Sequence, residues 1–203
     1  MSNSPIARRT QADRTRASRE KIIEAATELF SQQGFRGAKM ADIAKAANLT
    51  EPGLLHHFPS KTTLLTAVLA ERDRTNNEHF HIYLAGEKQD LLASLLKLAE
   101  HNETVPGLVQ LFTILAAECI QEQHPGHDFF LRRYEAVRAQ GVAALKEAQA
   151  RGEVRADLTA EDMIVMVFAV MDGLQIQWLY DPNRVDMARI FGQFVRLLKV
   201  EPS

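Results

Sequence analysis

The 203-residue chain is predicted to fold into helices throughout, and three observations carry that expectation. Apolar residues recur at three- and four-residue spacing along nearly the whole length. The alternating, β-branched runs bounded by turns that mark strands are missing. The breaks between periodic segments carry Gly or Pro, at Gly34, Gly86, Pro106-Gly107, Pro125-Gly126, Gly152 and Pro182.

The first periodic segment is carried by Ile22, Ile23, Ala26, Leu29 and Phe30. It predicts a helix ending at Gly34, a residue suited to a left-handed C-terminal cap. Met40, Ile43, Ala44 and Ala47 predict a second, short helix. It stops at Asn48-Leu49-Thr50, where Asn tolerates the turn, Leu packs inward and Thr caps the next helix. A third helix is expected from Glu51 to about His57, with Pro52 in the first turn, where backbone N–H groups have no intrahelical partner. Ser60 is expected to cap a fourth helix that starts at Lys61 and continues into the charged stretch ERDRTNNE. The pattern breaks around Tyr83 to Asp90, at Gly86. Longer helices are then expected over 90–102, 105–123, 127–150, 160–180 and 183–200. Thr159 with Asp162 three residues on resembles a capping box. Asp181 followed by Pro182 reads as the N-cap and first position of the last helix.

With 46% apolar and 25% charged residues, the chain reads as a globular protein of one ordinary domain or two small ones sharing a core. No run approaches about 18 consecutive apolar residues, and the opening MSNSPIARRTQADRTR has no apolar secretion segment, so the cytoplasm is the expected location and no membrane is expected as a partner. The single Cys119 lies in the apolar run LFTILAAECI and reads as a small buried hydrophobe. The net charge of −2 conceals an asymmetry, for residues 1–61 hold ten Lys or Arg against six Asp or Glu. A polyanion is expected to meet the basic end, although chance clustering of solvated charge gives the same count.

Two short helices joined by three turn residues, each apolar on one face, must pack on the first helix. That makes a tri-helical unit over 19–66, after a flexible basic arm over 1–18. Leu54 and Phe58 point the third helix into that core, which leaves Glu51, Pro52, Gly53, Leu55, His56 and His57 on its outer surface and end. An exposed helix opening Thr-Glu-Pro-Gly in a basic unit has the form of a recognition helix whose first residues enter the major groove of double-stranded DNA. Gly53 lets backbone approach a base or phosphate, and His56 and His57 donate to phosphate oxygens. Glu51 either accepts from a cytosine amino group or favours the helix N-terminus electrostatically. Arg8, Arg9, Arg14 and Arg16 of the arm either enter a minor groove or remain solvated.

Residues 20–70, which include MADIAKAANLTEPGLLHHFPSKTTLLTAVL, resemble the helix-turn-helix signature of the tetracycline-repressor (TetR) family of bacterial regulators. The shared features are the Asp-Ile-Ala triplet, the turn, the short helix closing in His-Phe, and Ser-Lys. The resemblance implies that Thr50, Gly53, Leu55, His56 and His57 contact DNA and that Lys61 reaches a phosphate. The chain departs from the family in having Ala38-Lys39 where a Thr or Ser often caps the second helix, so that Lys39 becomes a candidate phosphate contact. It also has Leu55-His56 where an aromatic pair often stands.

The remainder, 67–203, resembles the family's variable half, which by resemblance builds a pocket for a small-molecule effector and a dimer interface from the last two helices. Independently, Met163, Val167, Val170, Met171 and Leu174, then Ile190, Phe194, Leu197 and Leu198, form two apolar stripes suited to a four-helix bundle made by two chains of a homodimer; intrachain core is the other reading. Candidate pocket residues are Leu98, His101, Asn102, Phe112, Leu115, Glu118, Phe130, Tyr134, Met171, Gln175 and Trp178, which mix apolar bulk with a few polar groups. The rival reading, a metal-binding or enzymatic helical protein, rests on His124, His127 and Asp128 and on Glu78 with His81. A di-iron bundle needs two Glu-x-x-His motifs, and the chain has one. No enzyme activity and no cofactor are expected. The resemblance implies a repressor released from a palindromic operator by its effector.

Overall fold

The computed structural model describes residues 10–84 and 91–200, with side chains of the fourth helix as far as Arg74. The described residues form helices α1 (Gln11–Gly37), α2 (Met40–Ala46), α3 (Glu51–His57), α4 (Lys61–Leu84), α5 (Leu91–Thr104), α6 (Pro106–Glu118), α7 (His127–Ala150), α8 (Ala160–Tyr180) and α9 (Met187–Leu198). Their only pairing of β type is a bridge between Val154 and Lys199, which ties the end of α9 to the turn after α7.

Local chemistry sets the ends of these elements. Thr10 caps α1 in a full capping box: its hydroxyl accepts the Asp13 N–H at 3.1 Å, and the Asp13 carboxylate accepts the Thr10 N–H at 3.0 Å. The arm expected over 1–18 is therefore helical from Gln11 onward, and Arg14 and Arg16 ride on a helix. Arg8, Arg9 and Gly86 lie outside the described residues. Gly34 breaks α1 at φ 68°, ψ 177°, as its place at the expected helix end requires. Asn48 takes the left-handed turn at φ 59°. Lys39 stands at the N-cap of α2 with no side-chain capping bond, whereas Thr50 accepts the Gly53 N–H at 3.2 Å and Ser60 accepts the Thr63 N–H at 3.1 Å.

Two later boundaries differ from expectation by a helical turn or more. Helix α6 stops at Glu118, and turns and bends continue to the Pro125-Gly126 break. Asp181 is the C-cap of α8 and does not start α9; Asp186 does so, accepting the Arg189 N–H at 2.8 Å. Either aspartate has the capping chemistry, and the tertiary contact decides: Glu103 of α5 accepts the Met187 and Ala188 N–H groups at 2.8 and 3.2 Å, which fixes where α9 begins.

Buried apolar side chains separate into two clusters. The first joins Ile22, Phe30, Ile43, Leu54 and Phe58 of the tri-helical unit to Leu65 and Leu69 of α4, Leu111 and Leu115 of α6 and Phe130 of α7. The second joins α5, α7, α8 and α9 through Leu92, Leu145, Met163, Val167, Phe191 and Val195. The expected division between 66 and 67 thus falls inside a continuous helix and a continuous core. The N-terminal head shares its apolar interior with two helices of the second half.

Helix α8 is apolar on two faces. Met163, Val167, Met171 and Leu174, four of the five α8 residues expected at an interface, are buried within the chain and belong to the second core, as does Leu198 among the four expected on α9. The opposite face of α8 exposes Val165, Met166 and Ile176, and α9 exposes Leu197. The stripe was misplaced because an all-apolar helix offers no polar face from which to infer its orientation. By length and composition alone α8 also qualifies as a membrane span, although its inner face is core of this chain.

Candidate nucleic-acid interface

Helix α3 lies on the first core through Leu54 and is closed by Phe58, both fully buried. That anchoring leaves Thr50, Glu51, Pro52, Leu55 and His56 exposed and Gly53 and His57 half-buried. Leu55 is 38% exposed, an apolar side chain offered to solvent on a seven-residue helix. Lys39 is exposed at the start of α2. Gly53 has a structural role as well, since a Cβ there would sit 3.2 Å from the capping hydroxyl of Thr50. Burial, with the His56 ring and the Arg19 guanidinium nearby, pushes the His57 imidazole below its ordinary value, so at neutral pH it is an uncharged donor and acceptor.

Two basic side chains hold α3 and its surroundings from behind. Arg19 of α1 donates to the His57 carbonyl at 2.9 Å and lies 4.3 Å from the centre of the Phe58 ring. It supplies a cation where the α3 macrodipole is negative and a partner for a carbonyl the helix leaves open. Sequence reading missed Arg19. Its partner is 38 residues away, so no local spacing marks it. Lys61 is turned inward. Its ammonium donates to the Ala38 carbonyl at 2.7 Å and the Arg36 carbonyl at 3.3 Å and stands 4.7 Å from the Phe35 ring centre, and burial pushes its pKa down against the attraction of Glu118. Two of the three ammonium donors are thereby taken by carbonyls before α2, which counts against the expected phosphate contact. Lys61→Ala is accordingly expected to lower the free energy of unfolding by about 1 kcal/mol and leave the salt dependence of DNA binding unchanged. A salt slope shallower by one phosphate contact, in a fluorescence-anisotropy titration at several salt concentrations, would restore the phosphate role.

The candidate effector residues divide between the two cores. Phe112, Leu115 and Phe130 lie in the first, and Met171 and Trp178 in the second. Glu118 leaves the set entirely: its carboxylate accepts the Phe35 N–H at 2.6 Å, facing the N-terminal head. Leu98 is partly buried against the second core, and Asn102 and Gln175 are buried polar side chains. One cavity of the second half, of about 250 Å³, is bounded by Leu92, Leu145 and Val154 and by none of these candidates. What the structure does place in the second half is a buried charged network. Arg72 and Arg133 share Asp73, at 3.1 and 3.2 Å, and both guanidinium groups face the Phe112 ring, at 4.1 and 5.3 Å. Tyr134 donates to Asp172 at 2.8 Å, and burial raises the Asp172 carboxyl above its ordinary value.

The rival metal cluster does not converge. His124 Nδ1 accepts the Gly126 N–H at 3.1 Å and lies 3.1 Å from Cys119 Sγ, His127 Nδ1 is 2.9 Å from the Cys119 carbonyl, and Asp128 projects into solvent near Arg132. Among the described residues no three His, Cys, Asp or Glu side chains meet in a geometry that holds a metal. Cys119 is buried as expected, and burial pushes its thiol up to about 12. The side chains of Glu78 and His81 lie outside the described residues.

Residues 22–68 match the bacterial regulatory proteins of the tetR family, and residues 126–198 match the C-terminal domain of BetI-type transcriptional repressors. Over 192 residues the chain is 32% identical to the HTH-type transcriptional regulator TtgR of Pseudomonas putida, spanning 90% of this chain and 89% of that protein. A solved TetR transcriptional regulator from Chloroflexus aurantiacus superposes with a TM-score of 0.80 at 21% identity, over 93% of this chain and 99% of that one. SmeT, the repressor of the Stenotrophomonas maltophilia multidrug efflux pump SmeDEF, superposes with a TM-score of 0.71 at 17% identity, over 92% and 93%. Members of this family are soluble regulators, generally not enzymes, that bind DNA operators and small-molecule effectors, typically as dimers. The chain belongs to the TetR family and is a ligand-responsive, DNA-binding regulator of transcription.

Proposed function

We propose that the protein is a cytoplasmic repressor that binds a two-fold symmetric operator as a homodimer and leaves it when a small molecule enters its second half. The observation that carries this reading is α3: a short helix anchored by two buried residues, with an exposed, partly apolar outer face inside a basic unit. In the proposed complex Thr50, Glu51, Pro52, Gly53 and Leu55 meet base edges and His56, His57 and Lys39 meet phosphates. The sign of regulation rests on the match to BetI-type repressors over the C-terminal half. The dimer forms through the exposed apolar face of α8, with Val165, Met166 and Ile176, beside Leu197 of α9. Pairing these faces removes the apolar patch from water and holds two recognition helices about 34 Å apart, one turn of B-DNA. The effector lies among α5 to α8, where Asn102, Phe112, Tyr134, Met171, Gln175 and Trp178 combine apolar bulk with buried polar groups.

A substitution at His57 tests the DNA side. His57→Ala is expected to weaken operator binding about tenfold and leave the dimer and its melting temperature unchanged, as read by anisotropy and sedimentation. Unchanged affinity would remove His57 from the interface. Because the free imidazole titrates below its ordinary value and a phosphate favours its charged form, binding takes up a proton. Affinity of the unmodified protein is therefore expected to rise as pH falls from 7.5 toward 5.5, and this rise is expected to shrink in His57→Ala.

A further inference from the structure

The end of α6 meets the break in α1. Glu118 is the last residue of α6, carried by the half of the chain assigned to the effector, yet its carboxylate Oε2 accepts the backbone N–H of Phe35 in the N-terminal head at 2.6 Å. That N–H is open because Gly34, at φ 68° and ψ 177°, interrupts the helical bonding of α1. The approach is close enough that a Cβ at position 34 would run into the carboxyl group of Glu118. On the other side, the Phe35 ring carries the Lys61 ammonium, which also donates to the Ala38 and Arg36 carbonyls. Arg36 adds a second bond across the same junction, donating to Gln121 Oε1 at 2.5 Å. The His124 ring meets Phe35 edge-on at 5.0 Å. Residues 34–38, from which α2 and α3 hang, are thus gripped between the first turn of α4 and residues 118–124 behind α6.

We propose that Glu118 is a positioning residue for operator binding: its bond to the Phe35 N–H is the latch through which the effector-binding half sets the orientation of α2 and α3. The inference rests on the operator reading above. Movement of the α6 terminus by one bond length breaks a charge-assisted bond to a turn only a few residues from α2. The bond therefore has a made and an unmade state and is not a soft spring.

The test uses the full-length dimer and a duplex that the unmodified protein has itself selected from random DNA. Affinities of the unmodified protein, Glu118→Ala, Glu118→Gln and Glu118→Asp are measured by anisotropy at several salt concentrations, with melting temperatures alongside. Glu118→Ala is expected to lose at least fivefold in affinity with an unchanged salt slope, since Glu118 touches no phosphate. Glu118→Gln is expected to stay within about twofold, because its amide oxygen accepts the same N–H. Glu118→Asp keeps the charge and withdraws the carboxylate by one methylene, so it is expected to lose affinity like alanine. It also preserves the reading if the alanine variant fails to fold. A purely structural role would lower the melting temperature and leave the affinity of the folded dimer as it was, and that result overturns the latch. Equal losses in Glu118→Gln and Glu118→Ala overturn it too. If the unmodified protein selects no duplex, the operator reading fails and takes the latch with it.

Discussion

Replacing Asp73 with alanine is expected to lower the free energy of unfolding by about 3 kcal/mol, the low end of the cost of breaking a buried ion pair because Asp73 retains some exposure. Arg72 is buried, its side chain 6% exposed, and burial together with the neighbouring Arg133 pushes its guanidinium down to about 10. Asp73 is the carboxylate both arginines share, while the Phe112 ring supplies its face to both. Without Asp73, two like charges remain over one ring with Asp172 as the nearest compensation. Arg72→Met removes the buried charge and keeps the bulk, and is expected to cost less than Asp73→Ala although it deletes the more buried member of the pair. Urea melts with matched slopes decide it. A loss below about 1 kcal/mol for Asp73→Ala would mean that water reaches the pair and screens it.

Phe58→Ala is expected to cost about 3–5 kcal/mol and to abolish operator binding at concentrations where the unmodified protein is saturated. The ring is fully buried at the C-terminal end of α3, is one of the largest side chains of the first core, and supports the Arg19 guanidinium that holds the His57 carbonyl. Its removal takes away a packing anchor and one support of the recognition helix together. Leu55→Ala, three residues earlier and outward-facing, is the matched control: stability stays within about 0.5 kcal/mol, and any loss in binding belongs to the DNA contact itself. If Phe58→Ala retains operator affinity, α3 is positioned by something other than its buried face.

The head was legible in the sequence because its signals are local. Gly34, Asn48, Thr50 and Ser60 each fix a turn or cap through their own chemistry, and the spacing of Leu54 and Phe58 alone orients α3. Bounds of α7 and α8 were equally readable from Thr159 and the Gly-Pro breaks. What failed depended on partners distant in sequence. The inward bonds of Lys61 were not legible, because its carbonyl partners lie 23 and 25 residues away. Glu118 looked like a ligand group on an apolar helix, and its partner lies 83 residues back. The inner stripe of α8 was taken for an interface because both faces of that helix are apolar, so periodicity left no basis for choosing between them. The start of α9 was set by Glu103 on another helix, an influence that capping propensity does not contain.

The central claim, recognition of a symmetric operator by α3 of a dimer, is tested most directly by selecting bound fragments from random duplex DNA with the purified protein at two salt concentrations. The account predicts enrichment of a two-fold symmetric site whose half-sites lie about one helical turn apart, with enrichment surviving the higher salt. Recovery of no preferred sequence, with weak binding that disappears as salt is raised, would contradict it.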